Sequence, residues 1–179
     1  MPLPTDRKNL SAARRIALLG ILGAQAIALS FLESLLPPLP FLPPGGKAGF
    51  SNIITMYTVA RIGLREALAV SLMKSIFVLL TRGATAFVMS LLGGLLSVLV
   101  MAGLLRTGKL GYIGVGVSGA VTHNLAQLCV AVWMTGTAAI TIYFPVLMIF
   151  SLASGAITGL LLYCLLPAFQ RQEKVLYRN

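Results

Sequence analysis

The sequence predicts an all-α integral membrane protein: a bundle of six transmembrane helices forming one membrane domain over residues 1–179. Three observations predict it. Hydrophobic residues fill 58% of the 179 positions and charged residues only 10%, and the mean hydropathy of +0.93 is far above that of a soluble domain. Apolar stretches of about twenty residues, the length that crosses the hydrocarbon core, are separated by short breaks. Of the 14 Lys and Arg residues, eleven fall where all would share one face of a membrane if those stretches were helices: Arg7, Lys8, Arg14, Arg15, Arg61, Arg65, Arg106, Lys109, Arg171, Lys174 and Arg178. Cytoplasmic loops collect such charges. The expected location is the cell (cytoplasmic) membrane, multi-pass, with both termini cytoplasmic.

The same loops account for the net charge of +10. Facing anionic lipid headgroups, they make the lipid bilayer the partner of that charge and no nucleic acid is expected. Cys129 and Cys164 lie in apolar stretches without metal-ligand spacing and read as packing residues. Only four acidic residues occur, Asp6, Glu33, Glu66 and Glu173.

Helix 1 is expected over about 16–36, following Arg14 and Arg15 and running outward. Ala26-Ile-Ala28 mimics a signal-peptide cleavage site, but a small-residue stripe argues for a retained helix. The next segment carries Pro37, Pro38, Pro40, Pro43 and Pro44, then Gly45-Gly46-Lys47. Missing amide donors and fixed φ exclude a continued helix there. This Pro-rich outer loop, with Leu39, Phe41 and Leu42, is expected to lie on the protein or the membrane interface, where a lid would lie. Helix 2, about 50–60, is too short to span alone and is expected to begin within that loop. Helix 3, about 67–80, runs outward with Lys74 in its middle. Helices 4, 5 and 6 are expected over about 83–105, 110–134 and 138–169.

The three cations outside the pattern, Lys47, Lys74 and Arg82, point to function, because a cation inside a bilayer needs an anion to compensate it. Counting 1.5 Å of rise per residue puts Glu33, Arg82, His123 and Gln127 in the outer half, with Lys74 about 12 Å along its helix. Lys47 and Asn52 reach that level from the outer loop. Lys74 and Arg82 are eight residues apart and His123 and Gln127 four apart, so each pair shares a helix face. With Asn124, Ser75 and Thr81 these groups suit a site for a small anionic solute entered from outside. Lys47, Lys74 and Arg82 would pair the anion, Asn52, Asn124 and Gln127 would fix its orientation, and His123 would hydrogen-bond solute or lid. Alternatives stay open: Arg82 also suits the outer headgroups, and Glu33 also suits a buried ion pair with Lys47 or Lys74. No second His exists, so no metal site is expected, and no cofactor.

Ala13, Ala17, Gly20, Ala24 and Ala28 form a stripe on helix 1 that admits a close helix neighbour, and Gly116, Ala120, Gly155 and Gly159 do the same on helices 5 and 6. Most of these suit packing within the bundle; the helix 1 stripe also suits a partner subunit. Gly45-Gly46-Lys47 is not a nucleotide P-loop, since Phe41 stands in the place of its first glycine and Ala48 in that of its Ser or Thr. Trp133, Tyr143 and Phe144 read as an interfacial belt.

Through Glu33-Ser-Leu-Leu-Pro-Pro-Leu-Pro-Phe-Leu-Pro-Pro-Gly-Gly-Lys47, Gly49-Phe-Ser-Asn-Ile53 and His123-Asn-Leu-Ala-Gln127, the sequence resembles the Gx transporter family, also described as heptaprenyl diphosphate synthase component I. That family is in turn similar to the substrate-binding S components of energy-coupling factor (ECF) transporters. The resemblance implies an S-component-like six-helix fold, an ECF transmembrane coupling subunit and an ATPase pair as partners, and a docking face on helix 1 that Ala13-Arg-Arg-Ile-Ala17 matches. A catalytic prenyl diphosphate synthase needs aspartate clusters to hold magnesium on the diphosphate, and Asp6 is the sole aspartate here. The chain is therefore not expected to be an enzyme. A non-catalytic scaffold for electron-transfer or isoprenoid enzymes, and a standalone secondary transporter using Glu33 and His123 as a proton pair, are the alternatives.

Overall fold

The computed structural model describes residues 12–35 and 51–177. The Pro-rich segment and Lys47 lie outside the described residues. Those described form α1 (Ala12–Leu35), α2 (Asn52–Arg61), α3 (Leu64–Arg82), α4 (Ala84–Thr107), α5 (Tyr112–Thr135), a 3-10 turn (Ala138–Tyr143) and α6 (Phe144–Tyr177), with no strand among them.

Four segments are long and apolar enough to cross a membrane: Arg15–Leu35, Ala84–Thr107, Tyr112–Thr135 and Ala138–Cys164. The protein is thus a multi-pass membrane protein in type. The other two helices fall short for separate reasons. Helix α2 has 10 residues, and α3, although 19 residues long, carries Arg65, Glu66, Lys74 and Arg82.

Burial departs from that of a soluble domain on the outer surface and among the small interior residues. Ile16, Leu80 and Ile149 are at least 70% exposed, whereas Ser30, Thr58, Ser71, Ser75, Ser97 and Ser151 are buried. Large apolar side chains face outward, as they do toward lipid, while small hydroxyl-bearing ones let the helices approach inside. Cys129 and Cys164 belong to the outward surface, so they are not the packing residues expected from their apolar surroundings. Helical periodicity, not hydrophobicity, decides their side. Trp133, Tyr143 and Phe144 are exposed around the 3-10 turn.

Connections of a few residues make α3, α4, α5 and α6 successive antiparallel neighbours, α1 packs chiefly on α3, and α2 touches α1, α3, α4 and α6. Every residue of α2 from Ile53 to Ala60 is buried. The shortest helix is therefore the central one, and Met56 and Tyr57 join Val70, Val98, Met101, Val115 and Leu162 in the core.

Helix ends follow local chemistry. Helix α3 starts earlier than expected, at Leu64, because Gly63 already breaks the chain at φ 150°. Its first turn holds Glu66, favourably placed toward the helix dipole, and this carboxylate pairs with Arg15 of α1. The contact sets the starts of α1 and α3 at the same end of the bundle. Helix α6 begins at Phe144 and not at 138. Pro145 is tolerated in a first turn but would obstruct a helix continuing from further upstream, and the preceding residues form the 3-10 turn instead.

The α5–α6 seam needs its glycines. A Cβ on Gly155 would lie 2.5 Å from Val117 Cα, and one on Gly159 would lie 2.5 Å from Ile113 Cα. Backbone meets backbone there, a role for Gly116, Gly155 and Gly159 within the bundle itself.

Candidate functional site

A cavity of about 350 Å³ opens in the half of the bundle away from the Arg15–Glu66 pair, and all six helices contribute to its wall. Ser30 and Glu33 come from α1, Asn52 with the preceding Ser51 from the start of α2, Lys74 and Arg82 from α3, Ser90 from α4, His123, Asn124 and Gln127 from α5, and Ser154 from α6. Its size is at the small end for ligand pockets.

The deepest charges are organised around the start of α2. Glu33 accepts from the Ser51 backbone amide at 3.1 Å and from the Ser51 hydroxyl at 3.3 Å. A carboxylate at a helix start satisfies an amide that has no intrahelical partner and faces the positive end of the dipole. Lys74 donates to Asn52 Oδ1 at 2.9 Å and, more loosely, to Ser51 Oγ at 3.5 Å. One hydroxyl thus stands between ammonium and carboxylate, its proton toward Glu33 and its lone pair toward Lys74. Both charges are buried, Glu33 7% and Lys74 4% exposed.

Elsewhere the wall is tied across helices. Asn124 donates to Ser151 Oγ of α6 at 2.7 Å, and Ser90 shares a 3.2 Å bond with Ser75 of α3. His123 and Gln127 face one another through Nε2 atoms at 3.1 Å, one helical turn apart on α5. His123 also abuts α4 where Gly93 leaves room: a Cβ there would be 3.0 Å from its Nδ1. Arg82 is different. It is the exposed last residue of α3, followed by Gly83 at φ 85°, a left-handed position that suits glycine. Among the described residues it has no ion pair.

Of the eight residues singled out for a solute, Glu33, Asn52, Lys74, Arg82, His123, Asn124 and Gln127 line this one cavity, and Lys47 lies outside the described residues. Ser75 stands behind the wall, bonded to Ser71 and Ser90, while Thr81 is exposed and bonded back to Phe77. Four wall serines escaped the sequence reading. Ser30 precedes Glu33 by one helical turn and Ser51 adjoins Asn52, so both had a positional signal; Ser90 and Ser154 had none, because serine is common in membrane helices.

A second void, large enough for about one water, lies beyond Asn52, Ala120 and Ser154 and is bounded by Ser97, Gly116, Gly119 and Thr158. The Ser97 hydroxyl donates to the Gly119 carbonyl at 2.8 Å and joins α4 to α5 here. Among the described residues no group of three or more His, Cys, Asp or Glu is placed to hold a metal ion.

Ala13, Ala17, Gly20 and Ala24 form an exposed strip along α1. A Cβ added to Gly20 would meet nothing within 4 Å. This strip is separate from the cavity lining.

Residues 22–165 match the family model described as heptaprenyl diphosphate synthase component I, and the chain belongs to that family. No curated protein and no solved structure gave a significant match.

Proposed function

We propose that this member of the heptaprenyl diphosphate synthase component I family is the substrate-binding membrane subunit of an ECF-type uptake transporter, a six-span bundle that captures a small anionic solute from the outer side. The observation that carries this reading is the cavity walled by all six helices and lined by amides, hydroxyls, an imidazole and cations. A bundle needing only to fill its interior would close such a space with apolar side chains.

The topology follows from charge. With Arg61, Arg65, Arg106 and Lys109 cytoplasmic, the cavity opens outward and Arg82 lies at its rim. The exposed strip Ala13, Ala17, Gly20 and Ala24 supports docking to a transmembrane coupling subunit that an ATPase pair would drive, since small side chains permit close helix contact. The reading is non-catalytic. The synthase in the family's description would need clustered carboxylates around a metal-bound diphosphate, and the single aspartate of this sequence is Asp6.

The internal hydrogen bonds favour a second reading. Glu33, Lys74, Asn52, Asn124, His123 and Gln127 all have protein partners, as they would in a membrane scaffold that binds no solute.

Mass spectrometry of small molecules released from the gently purified protein separates the two. Solute capture predicts a near-stoichiometric non-lipid anion. A protein that releases none, and that candidate anions do not stabilise against heat, is a scaffold. For the partners, Ala17→Leu is expected to abolish co-purification of a coupling subunit and its ATPases while leaving solute content unchanged. Unaltered assembly removes the strip from the docking role.

A further inference from the structure

Among the described residues two cations line the cavity, Lys74 and Arg82; they are unequally committed, and that difference constrains what the cavity accepts. Lys74, at the floor, already donates to Asn52 and shares the Ser51 hydroxyl with Glu33. A solute anion placed on Lys74 would have to displace the 2.9 Å bond to Asn52 and bring its charge beside the buried Glu33 carboxylate. Like charges in a poorly solvated site repel strongly. The floor is thus electrically matched without a ligand and offers hydrogen bonds, not net charge.

Two helical turns further along α3, about 12 Å by helical rise, Arg82 lines the same cavity with no ion pair among the described residues. Val78 lies midway on the same face, one turn from each, and Ala86 and Met89 line the cavity from α4. Passing from floor to rim, the wall changes from hydrogen-bonding to apolar to cationic.

Resting on the solute-capture reading, we propose that the cavity selects a bipartite monoanion. Its uncharged hydrogen-bonding head sits on the floor among Asn52, Asn124 and Gln127, an apolar middle lies against Val78 and Met89, and one carboxylate or singly charged phosphate meets Arg82 at the rim. Solutes that carry negative charge at both ends, or several charges together, are excluded by Glu33. Lys74 is then a positioning residue that holds the start of α2 against α1. A phospholipid headgroup could supply the same anionic chemistry at Arg82, so the test must separate lipid from solute.

The full chain, its Arg82→Gln variant and its charge-neutral Glu33→Gln/Lys74→Gln double variant are exchanged into nanodiscs of phosphatidylcholine alone, and bound molecules are released for mass spectrometry. The expected result is a non-lipid molecule with a single negative charge at neutral pH on the wild type. Arg82→Gln should lower its occupancy about ten-fold or more, the loss of one charge-assisted contact, and should lower it further than the charge-neutral double variant does. Arg82 is exposed, so its variant is expected to fold and decides alone if the double variant is unstable. A molecule with two or more negative charges, or one kept by Arg82→Gln and lost from the folded double variant, overturns the proposal and leaves solute capture standing. An anionic phospholipid retained through exchange and dependent on Arg82 makes that residue a headgroup anchor and also overturns it. A wild type that carries nothing but phosphatidylcholine defeats capture itself.

Discussion

Two pairs of opposite charges join α1 to the helices beside it, at opposite ends of the bundle. Arg15 and Glu66 meet directly where the starts of α1 and α3 lie together, with side chains 54% and 11% exposed. Glu33 and Lys74 are both nearly inaccessible and meet through the Ser51 hydroxyl, with the backbone of α2 and the amide of Asn52 completing the set. The direct contact is the weaker of the two in its consequences. In the first pair the exposed Arg15 can exchange its partner for water, whereas a buried charge deprived of its counterpart has no water to return to.

Removing one member of the buried set is therefore the sharpest way to test the contrast. Lys74→Ala leaves Glu33 uncompensated and is expected to destabilise the protein by about 3–5 kcal/mol, read as a lower thermal midpoint in detergent. Adding Glu33→Gln to a Lys74→Gln background should recover most of that loss. A double variant no more stable than Lys74→Ala would mean that the charges do not compensate one another.

A second substitution asks whether the interior is intolerant of charge imbalance in particular or of any change. Gly155→Val places a branched side chain where a Cβ already lies 2.5 Å from Val117 Cα. The expected loss is about 1–3 kcal/mol from overpacking, and cross-linking between cysteines introduced on α5 and α6 should slow. Wild-type stability would mean that the two helices separate without penalty.

At the other end, Arg15→Ala is expected to lower stability by only about 0–1 kcal/mol, and the difference should shrink further in high salt. A loss as large as that of Lys74→Ala would abolish the distinction between the two pairs. Arg82→Gln should have the smallest effect on stability, within about 0.5 kcal/mol, because its side chain is exposed and has no ion pair among the described residues. Its effect is expected on bound solute alone.

Much of this architecture was legible in advance because a membrane simplifies the pattern. Long apolar runs between charged breaks gave α1, α4 and α5 to within a few residues, since little else produces them. Helix α6 begins later than expected, with Pro145 in its first turn, α2 lies close to its expected bounds and α3 extends past its expected bounds at both ends. For α2 the shortness was visible but its central position was not. A ten-residue helix with Thr55, Thr58 and Tyr57 has no spanning signature, and only the packing of its neighbours buries it. For α3, the expected span of about 67–80 stops short at both ends because Arg65 and Arg82 read as the limits of the apolar run, whereas the helix runs unbroken from Leu64 to Arg82.

The cavity residues divide similarly. Glu33, Lys74, Arg82 and His123 stood out because ionisable groups are rare in an apolar stretch, and Asn52, Asn124 and Gln127 because amides are. Ser30, Ser51, Ser90 and Ser154 did not, because their contribution depends on which side of a helix faces the opening.

By itself the sequence determined the protein's class, the positions of its apolar spans, the breaks in which its basic residues gather and the small set of polar residues that a bilayer would not otherwise tolerate. These follow from transfer free energies that each residue carries wherever it is placed. Only the tertiary structure decided that the Lys74 charge is taken up by Glu33 through Ser51 while Arg82 has no such counterpart among the described residues. Compensation depends on distances of a few ångströms between helices remote in sequence, and no property of a single residue contains them.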